Sequence, residues 1–203
     1  VMVRTLTCHP TAVDGRVFAL AMSTVGDEVA WSESDGTVKL AKVVDNNLKI
    51  TTSIKGPSRI NKIVLRGESI FLIDEMEGLH CFGFDGRLQW TYETGAGGRE
   101  LIRCEQYLAV LDSIGTVHLV SFHGESFCQN PVQDNCALIA NVQHKLFTAS
   151  EDGIVKCIIE GIETWARPKR GELGESITAI GNSSHGMVII GREGYAIVAG
   201  DEE

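Results

Sequence analysis

The sequence predicts an all-β chain folded as about five four-stranded antiparallel blades around a common axis. Three observations predict it. The first is a repeat. It reads S-D-G-T-V-K-L at Ser34–Leu40, M-E-G-L-H-C-F at Met76–Phe82 and S-I-G-T-V-H-L at Ser113–Leu119. It returns as E-D-G-I-V-K-C at Glu151–Cys157 and R-E-G-Y-A-I-V at Arg192–Val198. The glycines Gly36, Gly78, Gly115, Gly153 and Gly194 stand 42, 37, 38 and 41 residues apart, and a period near ~40 residues marks propellers or helical arrays. The second is texture: the apolar runs are short and β-branched, with no sustained helical stripe, which disfavours the arrays. The third is the set of Asp-Gly and Glu-Gly pairs between those runs, strong hairpin signals because glycine takes positive φ without a clash.

The elements follow in order. The first unit has its inner strand near Val17–Leu20. The second divides into Ile60–Leu65, Ser69–Ile73, Leu79–Phe84 and Arg87–Glu93, separated by Arg66-Gly67, Asp74–Gly78 and Asp85-Gly86. The third opens on Glu100–Cys104. The fourth repeats the plan as Cys136–Ala140, Lys145–Thr148, Ile154–Ile159 and Ile162–Trp165. The fifth offers three strands, Ser176–Ile180, Met187–Ile190 and Tyr195–Ala199. Met2–Thr7 has strand-like alternation and is expected to supply the missing outer strand of the last blade, because an open edge recruits other chains. On that reading residues 1–203 form a single domain. The competing reading makes Met2–Thr7 the remnant of an earlier blade in a longer chain, which fits a sequence beginning at Val1.

Alignment on the turn glycine gives a finer register. The second unit reads G-L-H-C-F-G-F-D-G-R-L-Q-W to Trp90, and the fourth reads G-I-V-K-C-I-I-E-G-I-E-T-W to Trp165. The third and first units place Phe127 and Leu48 at the same offset. A large apolar residue recurring there is what packing between blades requires. These residues resemble the repeats of quinoprotein-like (PQQ-like) propellers within the wider WD40-like group. The resemblance implies a blade-built fold. It says little about activity, because the quinone-dependent dehydrogenases of that group are far longer and bind their cofactor with calcium in a central funnel.

Composition limits the function classes. The chain has 203 residues, 43% hydrophobic and 22% charged, enough for one domain with a core. A net charge of −9 argues against a binder of nucleic-acid backbones. No apolar run approaches the ~18–20 residues of a membrane-spanning helix. The cysteines Cys8, Cys81, Cys104, Cys128, Cys136 and Cys157 form no C-x-x-C pair and mostly sit in apolar runs. They read as small hydrophobes, which leaves the compartment open with a lean toward a reducing, cytoplasmic one, and Cys128 and Cys136 are the one pair to consider for a disulfide.

Catalytic and metal chemistry is declined on the same ground. Gly95-Ala96-Gly97-Gly98 fails the dinucleotide fingerprint because Glu100 takes its last glycine position. G-E-S recurs at Gly67, Gly124 and Gly174 in different parts of the unit and makes no nucleophile elbow. The six histidines are scattered, and His118 and His123 fall on opposite sides of a regular strand. Asn182-Ser183-Ser184 matches a glycosylation sequon, which matters only in a secreted chain. No catalytic residue, metal site or cofactor is therefore expected.

Charge, by contrast, collects. In a four-stranded blade the turns between second and third strands share one rim with the connections between blades. Those turns carry Asp35, Asp74, Glu75, Asp112 and Asp152, and the connections carry Arg59, Arg99, Arg167, Lys169 and Arg170. Ordinary solvated turns would show the same residues. The functional reading is a docking rim for a protein or peptide, on a monomeric, non-catalytic interaction domain, with Arg forks gripping a partner's carboxylates. The alternatives are a small-molecule or carbohydrate binder, with Trp31 or Tyr195 stacking on a sugar, and a fragment of a larger quinoprotein-like propeller. A propeller enzyme is a third class, for which Arg59, Lys62, Arg99, Glu100 and Arg103 near the innermost strands are the candidates.

Overall fold

The computed structural model describes residues 19–22, 26–45, 47–128, 135–142, 144–167, 177–183, 186–191 and 196–199. They form five antiparallel sheets, each following the chain without a crossover. Sheet I is β1 (Ala19–Met22), β2 (Glu28–Ser32), β3 (Thr37–Val44) and β4 (Asn47–Lys55). Sheet II is β5 (Ile60–Arg66), β6 (Ser69–Asp74), β7 (Gly78–Gly83) and β8 (Leu88–Glu93). Sheet III is β9 (Gly98–Arg103), β10 (Tyr107–Asp112) and β11 (Val117–Ser121). Sheet IV is β12 (Cys136–Val142), β13 (Lys145–Ser150), β14 (Val155–Ile159) and β15 (Ile162–Arg167). Sheet V is β16 (Ile177–Ser183), β17 (Gly186–Gly191) and β18 (Ala196–Ala199).

The repeat turns are built as their glycines predict. Gly36, Gly78, Gly115 and Gly153 have φ of +81°, +139°, +91° and +84°, a region closed to most side chains. In three of these turns the glycine amide closes the bend, donating to Glu33 O, Asp112 O and Ser150 O at 3.1, 3.3 and 3.1 Å.

The period-two alternation of each middle strand sends side chains to two different neighbours. On β6, Ile70 and Leu72 enter a core shared with sheet I, while Phe71 and Ile73 enter one shared with sheet III. Comparable cores join sheets III and IV, around Leu111, Leu119 and Ile139, and sheets IV and V, around Phe147 and Ile177. Middle strands are thus buried on both faces, as β7 and β10 are throughout, whereas the outer β8 is mostly exposed. The first strands touch in series, β1 to β5, β5 to β9, β9 to β12 and β12 to β16. They are cross-tied by Asn61 Nδ2 donating to Gly98 O (2.6 Å), Asn141 Nδ2 to Arg103 O (2.9 Å) and a Lys62–Glu100 ion pair (3.1 Å).

Several expectations need correction. Sheet III has three strands among the described residues, not four. After β11 the chain curls, because Ser121 Oγ accepts the amides of His123 and Glu125 at 3.3 and 3.2 Å. A single Val120–Ser126 bridge stands where a fourth strand was expected. Phe127 still packs half-buried on Tyr107, ring centroids 4.9 Å apart. Trp90 is half-buried rather than buried, packed on Phe71 at 5.8 Å and over Gly124 of sheet III. Leu48 is half-buried. Trp165 lies on β15 opposite Cys157, with its side chain outside the described set. Cys81, Cys104, Cys128, Cys136 and Cys157 are all free thiols, so Cys128 and Cys136 are not bonded to each other. Trp31 is buried and not open to a sugar. Met2–Thr7, Tyr195 and the first two positions of the predicted inner strand Val17–Leu20 lie outside the described residues, as does the ring closure built on them.

Candidate functional site

The second-to-third-strand turns and the inter-sheet connections do share one rim, and main-chain hydrogen bonds join them. The connection from sheet I to sheet II bonds to the turns of both: Gly56 N–H donates to Gly36 O, and Glu75 N–H donates to Arg59 O, each at 3.1 Å. The connection from sheet III to sheet IV does the same through Cys136 N–H to Gly115 O (2.7 Å) and Glu151 N–H to Asn135 O (3.2 Å). Between sheets II and III, Thr94 N–H donates to Glu77 O at 3.2 Å.

Beneath this rim lie two buried acids. Asp74 ends β6, and its Oδ1 accepts the amides of Met76, Glu77 and Gly78 at 2.8, 2.6 and 3.3 Å. Its Oδ2 accepts His80 Nε2–H at 2.7 Å, and His80 Nδ1 faces Thr91 Oγ1 at 3.2 Å. Asp112 is placed identically at the end of β10. Its Oδ1 accepts the amides of Ile114 and Thr116 at 3.0 and 2.7 Å, and its Oδ2 meets His118 Nε2 at 3.1 Å. His118 Nδ1 lies 3.4 Å from Tyr92 Oη of sheet II. Burial alone would raise the Asp74 pKa, but the bonds from His80 and the three amides outweigh it and hold the carboxyl below its ordinary 3.8.

The predicted rim residues therefore separate. Asp74 and Asp112 are 0% and 1% exposed and spend their oxygens on the turn and its histidine, so they face inward rather than toward a partner. Asp35, Glu75 and Asp152 are exposed. Asp35 is drawn down to about 2, first by the Thr37 amide, then by the Thr37 hydroxyl and Lys55. Asp152 meets Ser150 Oγ. Arg59 lies exposed on its connection, whereas Arg99 lies exposed on β9 rather than on a connection, and turns Nη2 onto Cys136 O (3.1 Å) and Ala137 O (2.8 Å). Arg167 lies on β15 with its side chain outside the described set, and Lys169 and Arg170 lie outside the described residues.

The sequence carried a signal for the buried pairs that the residue-type reading passed over. An acid is followed six residues later by histidine in two successive units, Asp74/His80 and Asp112/His118. Asp74, Glu77 and His80 also bring one donor atom each within 4.8 Å of one another, the spacing of a metal cluster. The Asp74–His80 bond and the three amides already use the Asp74 and His80 donors, leaving only the exposed Glu77 carboxylate, so the arrangement is that of a structural anchor.

At the opposite end of the axis, the ends of β5, β9 and β12 frame a depression of about 510 Å³. Arg66, Arg103, Glu105, Asn141 and His144 line it. Arg66 is stacked over the Phe122 ring, 3.8 Å from its centroid.

Successive antiparallel sheets sharing cores with their neighbours, with turns and connections on one rim, define a β-propeller-like all-β protein. No family model matches the sequence, and no curated protein is similar to it. Among solved structures the chain is similar to the computationally designed Ika8 protein, with TM-score 0.62 and 14% identity over 91% of this chain and 71% of that one. It is similar to the designed Ika4 protein, with TM-score 0.60 and 14% identity over 72% of this chain and 92% of that one. It is also similar to BamB from Moraxella catarrhalis, with TM-score 0.62 and 13% identity over 92% of this chain and 59% of BamB. At these identities the likeness is one of fold.

Proposed function

We propose that residues 1–203 form one five-bladed propeller of the PQQ-like, WD40-like group, used as a non-catalytic module that binds a protein or peptide on its charged rim. The observation that carries this is the rim's construction. Turns and connections are fixed by main-chain bonds and by Asp74 and Asp112, while Asp35, Glu75 and Asp152 are exposed to solvent. A preformed frame lowers the ordering cost of binding. The contact residues are Arg59, Arg99, Arg167, Lys169 and Arg170 with Asp35, Glu75 and Asp152, and Asp74 and Asp112 serve as anchors. Met2–Thr7 supplies the outer strand of the last blade. Removing residues 1–8 should abolish cooperative unfolding, and unchanged unfolding would overturn that closure.

The binding test is partner capture by the chain and by an Arg167→Glu/Arg170→Glu variant. Capture should weaken with the melting temperature unchanged. Capture that survives these reversals and is lost on altering Arg66 and Asp85 at the other end would overturn the proposal. The depression lined by Arg66, Arg103 and His144 favours a second reading, a small anionic ligand on the axis. A thermal shift with carboxylates and phosphates, lost in Arg66→Ala, would support that reading instead.

A further inference from the structure

We propose that the docking surface of this rim centres on Met76 and Ile114, and that its partner is a basic segment carrying apolar side chains. This rests on the rim being the binding face, and it gives the partner's basic segment to the turns of sheets II and III, leaving the arginines of the rim for the partner's carboxylates. Met76 is 69% exposed and Ile114 is 73% exposed. They occupy the same place in consecutive sheets, two residues after Asp74 and Asp112, at the tips of the turns. In each case the apolar residue's own amide donates to that aspartate, at 2.8 and 3.0 Å. The two side chains are thus held out into water by backbone fixed at their own Cα. The matching positions in sheets I and IV are polar, Ser34 and Asp152. Single exposed apolar residues are ordinary. Two at the same offset from a buried aspartate, on anchored turns of consecutive sheets, form a paired feature.

Charge fixes the partner's chemistry. Met76 stands between Glu75 and Glu77, both exposed. Among the described residues, the nearby cations have partners within the fold. Lys39 pairs with Glu33 at 2.6 Å, Lys55 with Asp35 at 3.1 Å and Lys62 with Glu100 at 3.1 Å. Arg99 turns an amino group onto two carbonyls, and Arg59 also has a partner in the chain. Glu75 and Glu77 are open to solvent, Glu77 with Oε2 also 4.0 Å from His80 Nε2, on a chain of net charge −9. An extended segment alternating aliphatic residues with Lys or Arg matches this surface in both respects. The thioether of Met76 adapts to varied apolar shapes, and the carboxylates speed encounter with a basic chain.

The test is fluorescence anisotropy on the 203-residue chain with three labelled decapeptides of alternating Lys–Leu, Lys–Ser and Glu–Leu. The Lys–Leu peptide should bind at least tenfold more tightly than either of the others. Met76→Ser/Ile114→Ser and Glu75→Gln/Glu77→Gln should each weaken it at least fivefold, with melting temperatures unchanged. Leu88→Ser, an exposed apolar site on β8 away from these turns, should leave it unchanged. Equal binding of Lys–Leu and Lys–Ser, no binding of Lys–Leu, or indifference to the Met76/Ile114 changes overturns the inference. Binding of Glu–Leu that depends on Arg59 and Arg99 overturns it while leaving the rim as the docking face. Binding of Lys–Leu lost only with changes at Leu88 or Arg66 overturns both.

Discussion

Asp74 offers the sharpest test of how the rim is held. Asp74→Ala removes four hydrogen bonds at once, those from the Met76, Glu77 and Gly78 amides and from His80. The first two amides lie in an exposed turn and recover water, so each costs about 0.5–1 kcal/mol. The Gly78 amide and the His80 ring are buried and left without the acceptor, at about 1–2 kcal/mol each. The total is about 4 kcal/mol. For a chain of this size each kcal/mol lowers the melting temperature by about 2–4 °C, so a drop of about 8–16 °C is expected in calorimetry or circular dichroism. Asp74→Asn keeps an acceptor for the amides but sets an amide donor against His80, and should cost about half as much. The sign with pH follows from the depressed carboxyl. Stability from Asp74 is fully present above its unfolded value of about 3.9 and is lost as pH falls through the lower folded value. The acid limb of the stability curve should therefore flatten in the alanine variant. An Asp74→Ala protein within about 0.5 kcal/mol of the parent would refute the anchor and return Asp74 to the list of surface carboxylates.

Three further outcomes are expected. Trp90→Ala should cost about 3 kcal/mol in urea unfolding, because the ring fills the space between Phe71 and Gly124, whereas Leu88→Ala on the same strand should stay within about 0.5 kcal/mol. Asp35 should titrate near about 2 by NMR, and Thr37→Val should move it upward in part, since the Thr37 amide remains. Burial pushes the Cys81 and Cys104 thiols up to about 11, so neither should alkylate in the native chain at pH 8, and both should react once it is unfolded by urea, as followed by mass spectrometry.

The repeat was legible wherever a glycine turn divides apolar runs. In sheet II, Asp85-Gly86 and Arg66-Gly67 placed all four strands within about a residue of β5 to β8. Sheet III was misjudged because Phe127 keeps its register while the Ser121 hydroxyl captures the turn amides and curls the backbone, a local contest that apolar spacing does not record. The location of the rim followed from counting strands. Its sorting did not. Asp74 and Glu75 are adjacent acids in one turn, and only the position of each Cα relative to the β6 register sends one inward and the other to solvent. Met76 and Ile114 escape notice in the sequence because an apolar letter within a turn looks like the edge of a strand. Their exposure is set by the same buried aspartates.

The bonds between turns and connections run through main-chain atoms at nearly every junction described. A peptide N–H or carbonyl is supplied by almost any residue, so most substitutions at the turn tips leave the junctions intact. Drift at those positions is then limited by what the surface must touch and hardly at all by folding. A lineage built this way can exchange one binding specificity for another in a few mutational steps, and its members would keep their shape long after their sequences had ceased to resemble one another.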